Sequence, residues 1–339
     1  PRPRSRGPLV VAATARLDNR EELRRRLGVD PGRDDADLIL DAYERWGDAC
    51  PRELLGAFAF AIWNASERSL FCARDQLGVR PFYYALTPRR LLLAPEIEAV
   101  LADPEVPRAL DRGKVADYLG QAFVEKDRTF YEAVRRLPPG HSMVVTESGC
   151  RLREYWCLDP DHRVALADDE AYAEEFRARL TEALRCRLHT VERGGFLLSG
   201  GLDSSALVRM AHRHRQEWSL PGITTLSTVF PEFEHIDERG LIEQVLAGID
   251  ADPHFVSASE TSPLQEAEAM LDRVGEPFYL PNLYIYWSLA RRAQQLGLEV
   301  IVDGIDGDTT VSHGTDHLAD LLRRGRLLAV VKECRRLAR

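Results

Sequence analysis

Apolar and polar positions change their period once along the chain. Up to residue 157 the apolar residues come in short runs broken by turn formers. "LVVAATA", beginning at Leu9, reads as a buried strand, and "AFAFAIWNASERSLFCARD", beginning at Ala57, as two strands joined by the turn "NASER". Between them "REELRRRLG" predicts a helix closed by Gly28, and "DADLILDAYERWG" a helix capped near Asp35 and ended by Gly47. "FYYAL" and "RLLLAPE" continue the pattern, so residues 1-157 are expected to form an α+β domain with a substantial antiparallel sheet. The acidic, proline-containing segment 158-170 is placed as a linker. Over 171-339 the pattern is different. Phe176, Leu180, Leu184 and Leu188 mark one helix face, after which the strands "GGFLLS", "TTLSTVF" and "LEVIVDG" alternate with a helix from Ser204, "ERGLIEQVLAG" and "LYIYWSLARRAQQLG". That alternation predicts a parallel, doubly wound α/β sheet.

Composition narrows the partners. With 339 residues, 45% of them apolar, the chain can fill two cores, and its net charge of −9 counts against nucleic acid as a partner. The basic tail "RRGRLLAVVKECRRLAR" carries Leu and Val at helical spacing, which makes it the solvated face of an amphipathic helix rather than a binding patch. Six cysteines are scattered without CxxC or metal-type spacing, so reduced thiols and a cytoplasmic location are expected. No apolar run has the length of a membrane span and the basic start lacks the form of a signal peptide, so no membrane partner is expected. The first residue is proline and the last helical segment reaches Arg339 without a cap, which leads to the expectation of a chain cut at both ends.

"FLLSGGLDSSAL", Phe196 to Leu207, sits where a strand ends and a helix begins. Such a turn aims unpaired N–H groups at one point and adds the partial positive charge of the helix end. Gly200 and Gly201 let an anion approach the backbone, Ser199, Ser204 and Ser205 offer hydroxyls, and Asp203 can hold Mg²⁺ against phosphates. A phosphoryl-transfer P-loop needs a lysine in this turn, and none is present. The loop therefore suits pyrophosphate that departs as a unit.

"SGGLDSS" resembles the pyrophosphate-binding loop of the ATP pyrophosphatase superfamily. The remainder of the chain resembles the asparagine synthetase family, closest to its asparagine-synthetase-related and lasso-peptide-cyclase-like members. The residues that carry the likeness are "GAFAFAIWNASERSLFCARDQLGVRPFYY", "DADLILDAY", "EIEAVL", "RRLPPGHSMVV" and "VDGIDGDTT". The resemblance implies an Ntn-hydrolase-like glutaminase domain followed by an ATP-pyrophosphatase domain, with ATP and Mg²⁺ as cofactors. It also implies an AMP-forming carbon–nitrogen ligase acting on a carboxylate from an amino acid, small molecule or peptide. Ser199, Gly200, Gly201, Asp203, Ser204 and Ser205 are then expected on the pyrophosphate, and Leu198, Thr228, Val229, Asp303 and Gly304 on the nucleotide. Asp203 and Asp308 become the metal ligands. Asp306 stands open between a second metal contact and a solvated loop acid, and His313 between a substrate contact and a structural role. Tyr279, Tyr284, Tyr286 and Trp287 could line a peptide-sized pocket or a core. The family's catalytic lysine is expected beyond Arg339, and a homodimer stays open.

The family's active glutaminases carry an Asn-Gly-Glu run and an N-terminal nucleophilic cysteine. The matching positions here are Thr14, Ala15 and Arg16, while Asp35 keeps the acid that matches the glutamine-amine ligand. Loss of one oxyanion donor costs roughly a hundredfold or more in rate, and Arg16 reverses a charge, so this half is expected to be inactive on glutamine. Three functions follow for comparison. They are an amide ligase that does not hydrolyse glutamine, as in lasso-peptide or β-lactam ring closure, a glutamine-hydrolysing asparagine synthetase, and a non-catalytic binding subunit.

Overall fold

The computed structural model of the chain describes residues 3–122, 125–159, 161–188, 191–260, 262–278, 282–310 and 316–337. The protein is mixed α/β. Its contacts group into two units, Pro1–Arg179 with Glu266–Leu280, and Leu180–Gln265 with Pro281–Arg339.

The first unit is built on β1 (Arg4–Arg6), β2 (Leu9–Leu17), α1 (Arg20–Leu27), α2 (Asp35–Trp46), β3 (Gly56–Asn64) and β4 (Ser69–Arg74). It continues with β5 (Tyr83–Leu86), β6 (Leu91–Ala94), α3 (Ile97–Leu101), α4 (Arg112–Leu119), β7 (Arg135–Arg136), β8 (His141–Thr146) and β9 (Gly149–Glu154). Antiparallel pairing gives a six-stranded sheet in the order β1-β2-β3-β4-β8-β9 and a small sheet in the order β6-β5-β7. Alternation along β3 sends Phe58, Phe60 and Ile62 into one core with Leu38, Ile39 and Leu40 of α2, and Ala59 into another with Cys72, Leu137 and Met143. The sheet is therefore buried on both faces. The cap of α2 is Asp34, whose carboxylate accepts the Asp37 N–H at 2.9 Å, one residue before the expected position.

A buried charged pair organises the turn after β4. The Asp75 carboxylate accepts the N–H groups of Phe58, Leu77, Val79 and Arg80, while Arg74 donates to the carbonyls of Gly78, Arg80 and Leu137. Tyr155, just past β9, donates its hydroxyl to the Arg74 carbonyl at 2.7 Å. Tyr155→Phe leaves that buried acceptor unpaired and is expected to cost about 1–2 kcal/mol, to be read as a lower midpoint in denaturant at an unchanged slope.

The second unit begins at Leu180, within α5 (Asp169–Leu188), whose apolar residues the sequence places along a single face. Leu184 and Leu188 are buried, but Phe176 is 46% exposed, because the buried stripe covers only the C-terminal end of the helix. The unit continues through β10 (Gly194–Leu197), α6 (Leu202–Arg213), β11 (Thr224–Val229), α7 (Arg239–Leu246) and β12 (Asp252–Ser257). After α8 (Ala267–Val274), which belongs to the first unit, come α9 (Leu283–Gln295), β13 (Val300–Val302), α10 (Gly307–Thr310), α11 (Asp316–Arg323) and α12 (Leu327–Leu337). The sheet is parallel, in the order β12-β11-β10-β13. Phe196, Val208, Ala211 and Ile242 fill the α6/α7 face, whereas Leu226, Leu289 and Ala293 fill the α9 face, so the sheet is covered on both sides. Strand order reverses at β10, and in such sheets the crevice beyond the carboxyl ends of the strands at the reversal is where ligands bind. Among the described residues no helix is long and apolar enough to cross a membrane.

Candidate functional site

The Leu198 N–H donates to the Leu226 carbonyl at 2.9 Å, carrying the β10 ladder one residue past the strand, and the chain then turns. At Gly200 φ is +83°, and a Cβ there would lie 2.8 Å from Leu241 Cβ and 3.1 Å from Ile242 N. Both the backbone conformation and the close approach of α7 require glycine. Serines brace the turn from within. Ser199 N–H donates to Ser204 Oγ at 3.2 Å, the two hydroxyls lie 3.1 Å apart, and Gly201 N–H donates to Ser199 Oγ at 3.3 Å. The Ser205 N–H to Gly201 carbonyl bond, at 3.1 Å, opens the helical pattern of α6. The N–H groups of Leu202, Asp203 and Ser204 precede that first bond and belong to the helix end where anions are favoured.

A second loop, after β13, closes on the first. Ile305 N–H donates to the Asp303 carboxylate at 3.1 Å, and Asp306 sits at φ +65°. A Cβ at Gly304 would come within 2.7 Å of Ser204 N and 3.0 Å of Asp203 Cβ, and one at Gly307 would run into the Asp203 carboxylate. Two glycines thus bring the loop backbone directly against Asp203. Asp308 follows on α10, but its side chain lies outside the described residues.

These loops border a cavity of about 470 Å³. Of the residues singled out by sequence, Leu198, Ser199, Gly201, Asp203, Ser204, Thr228, Asp303 and Gly304 line it. Gly200, Ser205 and Val229 are not among its lining residues, and Val229, next to Thr228 on a strand, is buried against the opposite face. Sequence reasoning did not single out Phe230, Glu238, Asn282 or Ile285, which also line the cavity. Glu238 and Asn282 stand immediately before α7 and α9, the positions from which side chains reach a helix-end crevice. Of the aromatic cluster, Tyr286 lines the cavity, and Tyr279 and His313 lie outside the described residues. Burial, then the nearby carboxylates of Asp303 and Asp306, pushes the Tyr286 phenol pKa up.

Among the described lining residues the charged side chains are Asp203, Glu238 and Asp303, all acidic. The hydroxyls of Thr228 and Ser205 are buried without a hydrogen-bond partner in the protein. A pocket walled by acids and glycine-thinned backbone at a helix N-terminus suits a polyanion that arrives with a divalent cation.

In the first unit, Thr14, Ala15 and Arg16 lie on β2 opposite Ala59, Phe58 and Ala57. Arg16 pairs with Asp18 at 2.7 Å. Asp35 is held by Arg20, whose Nε and Nη2 reach its two carboxylate oxygens at 2.5 and 2.6 Å, and by the Leu17 N–H at 3.3 Å. This two-point grip by Arg20 is absent from the sequence pattern, in which Arg20 is simply the first residue of a helix.

Residues 3–156 match the glutamine amidotransferase domain family and residues 175–336 the asparagine synthase family. The chain is 30% identical over 271 residues to glutamine-hydrolysing asparagine synthetase 3 of Bacillus subtilis, a match covering 76% of this chain and 44% of that protein. It is 28% identical over 301 residues to the amidase chry2 of Gibberella zeae, covering 82% and 42%. A putative glutamine-hydrolysing asparagine synthetase 2 of Methanocaldococcus jannaschii is 24% identical over 321 residues, covering 92% and 60%. The chain spans about half the length of the curated relatives it matches. With an amidotransferase domain leading into a parallel-sheet synthetase domain, and relatives aligned across both, the chain belongs to the asparagine synthetase family.

Proposed function

We propose that the protein is an ATP-dependent, AMP-forming amide ligase that activates a carboxylate without drawing ammonia from glutamine. The observation that carries this reading is the convergence of two glycine-thinned loops on Asp203 at the point where strand order reverses. In the proposed reaction a carboxylate oxygen of the substrate bonds to the α-phosphorus of ATP, and the α-phosphorus bond to the bridging oxygen breaks. Pyrophosphate leaves with that electron pair. An amine nitrogen then bonds to the acyl carbon, AMP leaves with the carbon–oxygen pair, and the amine gives up a proton.

Ser199, Gly200, Gly201 and Ser204 are proposed to surround the pyrophosphate as donors around the turn, with Ser205, whose hydroxyl is buried off the cavity wall, behind them. Leu198, Thr228, Asp303 and Gly304, which line the cavity, are proposed around the nucleoside, with Val229 on the opposite face of the strand outside it. Asp203 and Asp308 would hold Mg²⁺, which offsets the charge of the departing pyrophosphate. With acids as the only described charges on the wall, the triphosphate depends on that cation for entry.

The Arg20 grip on Asp35 supports an amine source other than glutamine, because the carboxylate that would hold the glutamine ammonium already holds a guanidinium. The full-length protein is expected to catalyse Mg²⁺-dependent ATP–pyrophosphate exchange with its carboxylate and to release no glutamate from glutamine above background. Glutamate release coupled to ATP use would favour a glutamine-hydrolysing asparagine synthetase. Background exchange across a panel of amino acids and peptides would favour a binding subunit.

A further inference from the structure

The two edge strands of the six-stranded sheet carry the same pattern, arginine at alternate residues, as "RSR" in β1 and "RLR" in β9. At β1 both guanidiniums are taken. Arg4 pairs with Asp34 at 2.8 Å, and Arg6 pairs with Glu44 at 2.8 Å and with Asp41, all carried by α2 and its cap. At β9 neither Arg151 nor Arg153 has an ion pair among the described residues, and all six residues of the strand are exposed.

The backbone of that edge is open as well. β8 and β9 pair antiparallel, with His141 opposite Glu154 and Met143 opposite Leu152. In such a ladder, residues that bond the neighbouring strand alternate with residues whose N–H and C=O point away from it. The Tyr155 N–H bond to the Gly140 carbonyl, at 2.8 Å, sets the phase. Arg151 and Arg153 therefore bond β8, while the N–H and C=O groups of Cys150, Leu152 and Glu154 face outward and are engaged by nothing among the described residues. Side chains alternate across the sheet, so Leu152 stands on the face of Met143 and Cys72, and the two arginines stand together on the other.

An exposed edge strand is a template for another strand, and its charges decide which strand is accepted, since like charges directly opposite destabilise a pair. A second copy of this chain is disfavoured on that ground. Two β9 strands related by a two-fold axis pair antiparallel. With the axis at Leu152 each Arg151 faces an Arg153, and with the axis at either arginine that residue faces its own copy. We propose that β9 is a docking edge for an extended segment of a partner polypeptide in which acidic and apolar residues alternate. Two acids, one residue apart from each other, stand opposite Arg151 and Arg153, the residue between them packs beside Leu152, and the outward groups of β9 supply the main-chain bonds. The partner's carboxylates then do for β9 what Asp34, Asp41 and Glu44 do for β1. The inference does not depend on the reading of the cavity as an ATP site.

The test uses the full-length protein and two short labelled peptides, one alternating Glu with Val and one alternating Lys with Val. The Glu peptide is expected to bind about tenfold more tightly than the Lys peptide and to slow amide hydrogen exchange at Cys150, Leu152 and Glu154. Replacing both arginines together, Arg151→Glu with Arg153→Glu, should reverse the order of the peptides. Arg151→Gln with Arg153→Gln, a milder change at exposed positions, should make the two peptides bind alike. Leu152→Pro keeps both arginines and the bonds to β8 but removes one outward N–H, and should weaken the Glu peptide about tenfold. Wild-type protection of β2, β3 and β4 in each variant shows that the sheet is intact. Failure of the wild-type protein to bind the Glu peptide would overturn the inference, as would equal affinity for the two peptides. Undiminished binding in Leu152→Pro would overturn it too, since charge would then attract the peptide without any strand being added.

Discussion

Asp203→Ala is expected to abolish Mg·ATP binding and to lower ATP–pyrophosphate exchange by roughly a hundredfold or more while leaving the fold intact. The size of the effect follows from where the carboxylate sits. It lies in the first turn of α6, on the wall of the cavity, with the backbone of Gly304 and Gly307 pressed against it. The other described charges on that wall are also acidic, so no described cation there can take over the neutralisation of a triphosphate. The fold should survive because an acid in the first turn of a helix is worth only about 0.3–1 kcal/mol. Asp203→Asn, which keeps the shape and removes the charge, should fail nearly as badly. Calorimetry with Mg·ATP and an unfolding curve on each variant make the check, and binding at wild-type strength would refute the metal assignment.

Gly304→Ala should damage both stability and binding. The added methyl would lie 2.7 Å from Ser204 N and 3.0 Å from Asp203 Cβ, atoms fixed in the first turn of α6 rather than at the end of a flexible side chain. Either the loop after β13 or the start of α6 must move, at a cost of about 1–3 kcal/mol for overpacking of this kind. Either movement separates Asp203 from the backbone around Gly307, so Mg·ATP affinity should fall well beyond what the stability loss accounts for. Gly222→Ala is the control, since a Cβ there meets nothing within 4 Å. Parallel unfolding curves and Mg·ATP titrations should show Gly304→Ala impaired in both and Gly222→Ala in neither.

Much of the second unit is legible in the sequence, because each feature there is local. A strand, a turn and a helix in succession fix the "SGGLDSS" loop, and the structure then packs Phe196 of the strand with Val208 and Ala211 of the helix. Residues that act across the fold are not legible in the same way. The helix around Met270 is not among the elements read from the sequence, and periodicity would say only that a face is buried and not which surface covers it. The Glu276 contacts with Phe130 and Arg136 span 146 and 140 residues. Arg20 reaches Asp35 from fifteen residues away, and helix spacing relates only residues three or four apart. Asp34 rather than Asp35 caps α2 for a related reason. With two adjacent acids the sequence cannot tell which accepts the N–H, and Arg20 draws Asp35 away from that task. Thr228 is singled out by the family resemblance and not by the strand pattern, whereas Glu238 and Asn282 come to the cavity through the placement of helix ends.

The bond between Arg20 and Asp35 also bears on how such a chain changes over generations. On the proposed reading, restoring Asn, Gly and Glu at positions 14, 15 and 16 would return no glutamine site while Arg20 keeps both oxygens of Asp35. Removing Arg20 first would leave Asp35, a mostly buried acid, without its cation, which is costly before any gain in chemistry appears. On that reading each single step back is neutral or harmful, and the pair would act as a ratchet that makes the proposed loss of glutamine chemistry hard to reverse one substitution at a time.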